Sequence, residues 1–315
     1  MDFPIQPFMD EDACYHFLLD LVHPEGLHCP RCHAHEGFIV HRYYREPVLD
    51  YRCPACGRVF NAWTGTVFQG TRYRPSMLVL IIRGFSQGET TAQLARELGC
   101  SRRHLLKLRH RWQSQARSDL DRTPLKDTEV EADEMYQNAG EKGIPHLDPD
   151  DPPRRRANQR VGHGTKENDR PPVVGIVGRQ SGEVRLEVVE HADQATLEEL
   201  VKETTIAGAT VYTDEWNGYN HLPEMGRKHA TVCHTPGQRE WARDDDGDGV
   251  REVHNNTMEG IWTGVRNFLR NFRGVNKEYL EQYIGIFECG YKIKTVTLEF
   301  LRALLGVKAV TNPST

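Results

Sequence analysis

Several absences narrow the possibilities before any motif is considered. No apolar run approaches the roughly 18 uninterrupted residues of a membrane span, so no transmembrane segment is expected. The opening residues, Met1-Asp-Phe-Pro-Ile-Gln6, lack a basic stretch followed by an apolar core, so no export signal is expected. Excess positive charge is also missing: 40 Lys and Arg face 45 Asp and Glu, for a net charge of -5. Any surface for a polyanion must therefore be local. A hydrophobic content of 38% against 27% charged residues describes a soluble globular chain, and 315 residues exceed one average domain. Without an export signal, the eight cysteines are expected in a reducing, cytoplasmic setting, where close pairs bind metal more often than they form disulfides.

Four of those cysteines form two knuckles, Cys29-Pro-Arg-Cys32 and Cys53-Pro-Ala-Cys56, with twenty residues between them. Each knuckle turns two thiolates toward one side of a tetrahedral ion, so one Zn²⁺ is expected. Four thiolates leave no open position, so this zinc is structural. The intervening 37–44 and 48–52 read as strands of a zinc ribbon. Cys29-x-x-Cys32-His33 also matches a c-type haem attachment site, but the second knuckle and the missing export signal argue against haem. Cys14, Cys100, Cys233 and Cys289 have no such partners and read as buried small hydrophobes. Before the ribbon, 10–22 reads as an amphipathic helix ended by Pro24 and Gly26.

Residues 75–117 turn helical. Pro75 opens a helix to about Phe85. Ala92, Leu94, Ala95 and Leu98 then pack a second helix, Gly99 turns, and Ser101 caps a third. This reads as a helix-turn-helix. Its last helix carries Arg102, Arg103, Lys107, Arg109 and Arg111, interleaved with leucines. That basic face could follow a DNA groove, its first residues nearest base edges, or could be the solvated face of an ordinary helical hairpin.

From Asp127 the pattern changes to alternating α/β. Strands are expected at 128–136, 172–179, 182–189, 209–213 and 228–233, with a helix at 193–206 and a last helical region at 279–305. Between the first two strands, 140–172 is a polar Pro/Gly/Arg-rich insertion expected to be mobile. Asp244-Asp-Asp246-Gly-Asp248-Gly249 begins like an EF-hand loop, but its twelfth position is Asn255 rather than Glu, and it reads as a polar loop.

The segment 252–277 organises the rest. Asn256 is a candidate N-cap with Glu259 three residues later. Ile261, Trp262, Val265, Phe268, Leu269 and Phe272 supply an apolar helical face. Glu259 and Arg266 stand seven residues apart, two turns, and so share a face, beside Arg270, Arg273 and Lys277. Glu259 could be only a capping-box partner. Two upstream carboxylates argue for more: Asp133 in the first strand and Asp214 at the end of the fourth. If those strands are neighbours and the helix packs on their sheet, three carboxylates meet, and such a cluster needs hard cations. Two Mg²⁺ (or Mn²⁺) ions about 4 Å apart suit phosphodiester chemistry.

Ala-Asp133-Glu-Met-Tyr, Tyr-Thr-Asp214-Glu-Trp-Asn-Gly-Tyr219 and His254-Asn-Asn256-Thr-Met-Glu259-Gly-Ile-Trp262, with Arg266 and Arg-Gly274, follow a zinc ribbon and a helix-turn-helix. In this order they resemble the zinc-ribbon insertion-sequence transposases of the ISXO type, from about residue 10 to residue 292. The resemblance implies an α/β RNase H-like catalytic domain with a mixed sheet, preceded by a zinc ribbon and a helix-turn-helix. The expected divisions are 1–74, 75–124 and 125–305. The resemblance also implies a catalytic triad of Asp133, Asp214 and Glu259 holding the divalent ions. Arg266 stands where the family usually has lysine, a different phosphate-binding geometry. His254 falls near the scissile phosphate or the metal. The implied reaction is cleavage at the 3′ end of an element and transfer of the freed hydroxyl to target DNA. Double-stranded DNA is the expected partner, and pairing of two ends implies a homodimer or larger assembly. A DNA-binding regulator with an idle catalytic domain, and a metal-dependent nuclease without strand transfer, are the two alternatives.

Overall fold

The computed structural model describes residues 10–145, 147–150, 162–233, 237, 240–291, 293, 296–305 and 307. Of the insertion expected to be mobile, residues 146 and 151–161 lie outside the described residues. The chain divides into two compact units, 1–120 with 293–315, and 121–292.

The first unit opens with α1 (Glu11–Val22), whose N-cap Asp10 accepts from the Ala13 amide at 2.7 Å. Cys14, Leu18, Leu21 and Val22 bury its apolar stripe. The ribbon follows as three short antiparallel strands, β1 (Ile39–Arg42), β2 (Asp50–Arg52) and β3 (Val59–Phe60), paired in that order. Phe60 packs with Phe38 and Tyr51 beside the buried Cys29 and Cys53. Then come α2 (Pro75–Ser86), α3 (Thr91–Glu97) and α4 (Arg102–Ser118). Pro75 begins α2 where an amide hydrogen would have no helical partner. Thr90 and Ser101 cap α3 and α4 through the Gln93 and His104 amides. Gly99 turns between them with a φ of 60°, the left-handed region that glycine enters without penalty.

The second unit is a five-stranded mixed sheet. β4 (Glu129–Tyr136) is central, flanked by antiparallel β5 (Pro172–Gly178) and parallel β7 (Thr210–Asp214); β6 (Val184–Val188) and β8 (Lys228–Val232) form the edges. All seven residues of β5 are buried, as befits a strand covered on both faces. Alternation along β4 divides its side chains. Val130 and Ala132 join the core under α5 (Gln194–Thr204), while Met135 joins the core under α6 (Asn256–Arg270) and α7 (Lys277–Gly290). α6 contributes Met258, Ile261, Trp262, Val265 and Leu269 to that core, each worth roughly 1.5–3 kcal/mol when fully buried. Three antiparallel strands extended by two parallel ones, with helices on both faces, make this an RNase H-like domain.

Three features depart from the sequence expectations. The last helical region is two helices: α7 lies in this unit, whereas α8 (Leu298–Leu305) lies in the first, where Arg302 donates to the carbonyls of Asp20 (3.0 Å) and Leu21 (3.3 Å). Of the four cysteines outside the knuckles only Cys14 is buried; Cys100, Cys233 and Cys289 are half-buried. The N-cap of α6 is Asn255 rather than Asn256, and its side chain makes no cap bond. Among the described residues no helix is long and apolar enough to cross a membrane.

Candidate active site

β4 and β7 run parallel with Glu131 opposite Tyr212. Two residues further along each strand stand Asp133 and Asp214, so the register brings both carboxylates to the same level on adjacent strands. Asp214 ends β7, and its Oδ1 accepts from the Trp216 amide at 2.9 Å, which fixes the turn that follows.

The third carboxylate arrives on α6. Glu259 is exposed in its first turn, and one turn later the Trp262 indole donates to Asp133 Oδ2 at 2.8 Å. This bond ties the helix to the strand. It needs space that Gly175 provides: the residue pairs with Asp133 across β5, and a Cβ there would lie 2.3 Å from Met258 Cε and 2.7 Å from the Trp262 ring. The electrostatics record the crowding. Burial, then the neighbouring charge of Asp214 and also that of Glu259, push the Asp133 carboxyl up to about 7, against the opposing Trp262 hydrogen bond. Glu134 is pushed up to about 8 by burial and by Asp133 and Asp214, although Tyr219 donates to it at 2.9 Å. The charges of Asp214 and Glu259 both reach Asp133, so the three carboxylates share one region, although their oxygens do not all lie within 4.8 Å of one another; carboxylates so grouped are candidate ligands for Mg²⁺ or Mn²⁺.

Glu131 does what the expected cap does not. Fully buried, it accepts from the Thr257 amide (2.8 Å), the Thr257 hydroxyl (2.9 Å) and the Met258 amide (3.1 Å) at the start of α6. A carboxylate there also meets the positive end of the helix dipole. Arg179 Nε pairs with it at 3.0 Å. The same guanidinium donates to the carbonyls of Glu252 (2.5 Å) and His254 (2.7 Å), and to His254 Nδ1 (3.1 Å), while lying 3.8 Å over the Tyr212 ring. His254 Nδ1 thus lies between Arg179 Nη2 (3.1 Å) and Glu131 Oε1 (3.2 Å). Burial and Arg179 also hold the His254 pKa below the usual histidine value, so the ring is neutral near pH 7. The sequence reading missed Glu131 and Arg179, yet the signal was present: Glu129, Glu131 and Asp133 alternate along β4 and share the face toward α6.

Arg266 is exposed two turns along α6 from Glu259. Arg170, also missed, is held below the usual arginine range chiefly by burial, with Arg266 as a nearby like charge. Two guanidinium groups in one region suit a phosphate. Arg270 and Arg273 are exposed, but Lys277 is engaged by Asp169 (3.0 Å) and Glu141 (3.8 Å) and is not a free cation.

In the first unit Arg102, Arg103 and Lys107 are exposed on α4, and Arg111 is exposed while donating to the Val67 carbonyl. Arg109 corrects the expectation of a uniformly basic outer face. It is fully buried, lies 4.1 Å from the centre of the Phe85 ring and donates to the Glu89 carbonyl. The Sγ atoms of Cys29, Cys32, Cys53 and Cys56 all lie within 4.8 Å of one another, with Cys29 to Cys56 at 3.6 Å and Cys32 to Cys53 at 3.5 Å. Zn–S bonds of about 2.3 Å in a tetrahedron place sulfurs roughly 3.8 Å apart, so the cluster fits zinc. The acidic loop after Trp241 gathers Asp244, Asp246 and Glu252, but Asp244 accepts from the Gly247 (2.6 Å) and Gly249 (2.9 Å) amides, as a polar loop does.

Residues 124–292 match the family model of the ISXO2-like transposase domain, and 75–120 match that of a homeodomain-like domain. A protein of the transposable element ISH50 of Halobacterium salinarum is 30% identical over 287 residues, covering 90% of this chain and 92% of that one. Among solved structures, the HTLV-2 integrase catalytic core domain in complex with magnesium is 9% identical over 57% of this chain and 98% of its own, with a TM-score of 0.30. The Mos1 transposase in a paired-end complex with the left transposon end is 12% identical over 75% of each chain, also with a TM-score of 0.30. Likenesses this remote add nothing to the strand topology described above. The family model spans more than half of the chain, and the haloarchaeal relative spans nearly all of it: the protein belongs to the ISXO2-like transposase family.

Proposed function

We propose that the protein binds the ends of its insertion sequence as double-stranded DNA, cleaves them at the 3′ side in the presence of Mg²⁺ or Mn²⁺, and joins them to target DNA. The observation that carries this reading is the shared register of Asp133 and Asp214, with α6 tied to Asp133 through Trp262 and Glu259 in its first turn. Two divalent ions held by Asp133, Asp214 and Glu259 would neutralise the phosphodiester and activate the attacking oxygen. The protein's own groups do the rest. Trp262 fixes the Asp133 carboxylate, Glu131 and Arg179 fix the start of α6, and Arg266 with Arg170 offers positive charge to phosphate oxygens. In the first step water attacks phosphorus, and the P–O3′ bond breaks to leave a 3′-hydroxyl. In the second that hydroxyl attacks a target phosphodiester and displaces another 3′-oxygen. Bonds exchange one for one, so no redox partner or organic cofactor is needed.

α4 is the proposed reader of the element ends, through Arg102, Arg103 and Lys107, on a unit held by one structural zinc. Pairing of two ends calls for a dimer or larger assembly on DNA. The test is a set of single variants, Asp133→Ala, Asp214→Ala and Glu259→Ala, assayed for binding and cleavage of end DNA. Each is expected to bind as the wild type does and to cleave at least a thousandfold more slowly. Normal cleavage by any of them removes that residue from the site.

A further inference from the structure

Between the ribbon and α2 lies a second basic surface, which neither the helix-turn-helix nor the catalytic domain accounts for. The tip of the β1–β2 hairpin reads Arg42-Tyr-Tyr-Arg45. Tyr43 and Tyr44 are 62% and 70% exposed, an unusual position for two adjacent aromatic rings. Arg45 donates to the Thr71 carbonyl at 3.2 Å and so ties this tip to the segment leading into α2. That segment carries Arg72 and Arg74, both exposed, and with Tyr44 and Arg45 they line an open cleft of about 420 Å³. Of the two glutamates in the cleft, Glu11 is occupied by the Ser76 amide (3.0 Å) and hydroxyl (2.5 Å), which leaves Glu46 against three arginines. Among the described residues, Arg42, Arg72 and Arg74 make no salt bridge with a carboxylate. The surface is continuous with α4: the Tyr73 ring stacks on His104 in the first turn of that helix, with centroids 5.3 Å apart at 27°, next to the exposed Arg102 and Arg103.

We propose that Arg72, Arg74 and the Tyr43–Tyr44 tip hold the sugar–phosphate backbone of the same DNA duplex that α4 reads, an inference that rests on the DNA-binding role proposed above. Unpaired guanidinium groups on a chain of net charge -5 complement a polyanion. Exposed tyrosines beside them offer flat apolar faces and hydroxyl donors for sugar and phosphate. These groups touch only the backbone, so they add affinity without changing which sequence is read.

The experiment uses the full-length zinc-loaded protein and a fluorescent duplex carrying its own element end, titrated by anisotropy between 50 and 300 mM KCl. Removing one phosphate-neutralising charge makes the slope of log K against log salt shallower by about 0.9. Arg72→Ala with Arg74→Ala is therefore expected to reduce the slope by about 2 and to weaken binding to end DNA and to unrelated DNA by the same factor. Tyr43→Ala with Tyr44→Ala is expected to weaken binding with the slope unchanged, because no charge is removed. All four side chains are partly or fully exposed, and unchanged zinc content and thermal midpoint would confirm folding. An unchanged slope in the arginine pair, with Arg102→Ala/Arg103→Ala still lowering it, would overturn this inference and leave α4 as the DNA-binding element. No binding by the wild type would overturn the DNA-binding role itself.

Discussion

Asp133→Asn is expected to make the metal-free protein more stable while abolishing its activity. Burial first, and then the charges of Asp214 and Glu259, move the Asp133 carboxyl from an ordinary 3.8 to about 7. Between those values the folded state keeps a proton that the unfolded chain releases, so stability falls as pH rises through this window and levels off above pH 7. At 1.36 kcal/mol per pH unit, the stability forfeited is about 2 kcal/mol at pH 5 and about 4 kcal/mol at pH 8, as an order of magnitude. Asparagine keeps an oxygen for the Trp262 indole and never ionises. The variant should therefore exceed the wild type in urea denaturation in EDTA, by a margin that grows from pH 5 to pH 8. Adding Mg²⁺ should narrow the margin by stabilising the wild type alone. If the variant were less stable at both pH values, by a constant amount, Asp133 would not sit in a repulsive cluster, and the reading of the site as a cation holder would be refuted.

Other consequences are shorter to state. Glu131→Ala removes a buried ion-pair partner and the acceptor for two amides of α6, and is expected to cost about 3–5 kcal/mol in chemical denaturation; a loss under about 1 kcal/mol would contradict its assigned role. Gly175→Ala drives a methyl into Met258 and Trp262. It should lower cleavage by at least tenfold while leaving DNA binding by α4 intact, and undiminished cleavage would show that Trp262 has other ways to reach Asp133. Stripping zinc with a strong chelator, or Cys53→Ser, should unfold the ribbon, visible as loss of its near-ultraviolet signal and of tight DNA binding. Retained binding would detach zinc from that role.

Much of the candidate site was legible because its parts are local. β4 and β7 announce themselves by alternation, and Asp133, Asp214 and Glu259 fall at positions a short pattern can carry. What the sequence concealed is tertiary. The start of α6 is capped by Glu131, more than a hundred residues upstream, so no scan of the residues around Asn255 finds it. α8 lies in the first unit, where it buries Phe300, Leu301, Leu304 and Leu305 beside α4 and α1 and Arg302 donates to the Asp20 carbonyl, a pairing across nearly three hundred residues of sequence. Arg109 is different: it falls four residues after Leu105 and three before Trp112, on the buried stripe of α4, so periodicity pointed inward while its charge suggested the surface. The Phe85 ring and the Glu89 carbonyl make that burial tolerable.

The most direct test of the central claim is a denaturing gel of end-labelled element DNA incubated with the wild-type protein in Mg²⁺ or in EDTA. Cleavage at the 3′ ends in Mg²⁺ only, followed by longer products in which those ends are joined to target DNA, is the expected result. Tight binding with no cleavage in either Mg²⁺ or Mn²⁺ would contradict it and leave a DNA-binding protein whose carboxylates do no chemistry.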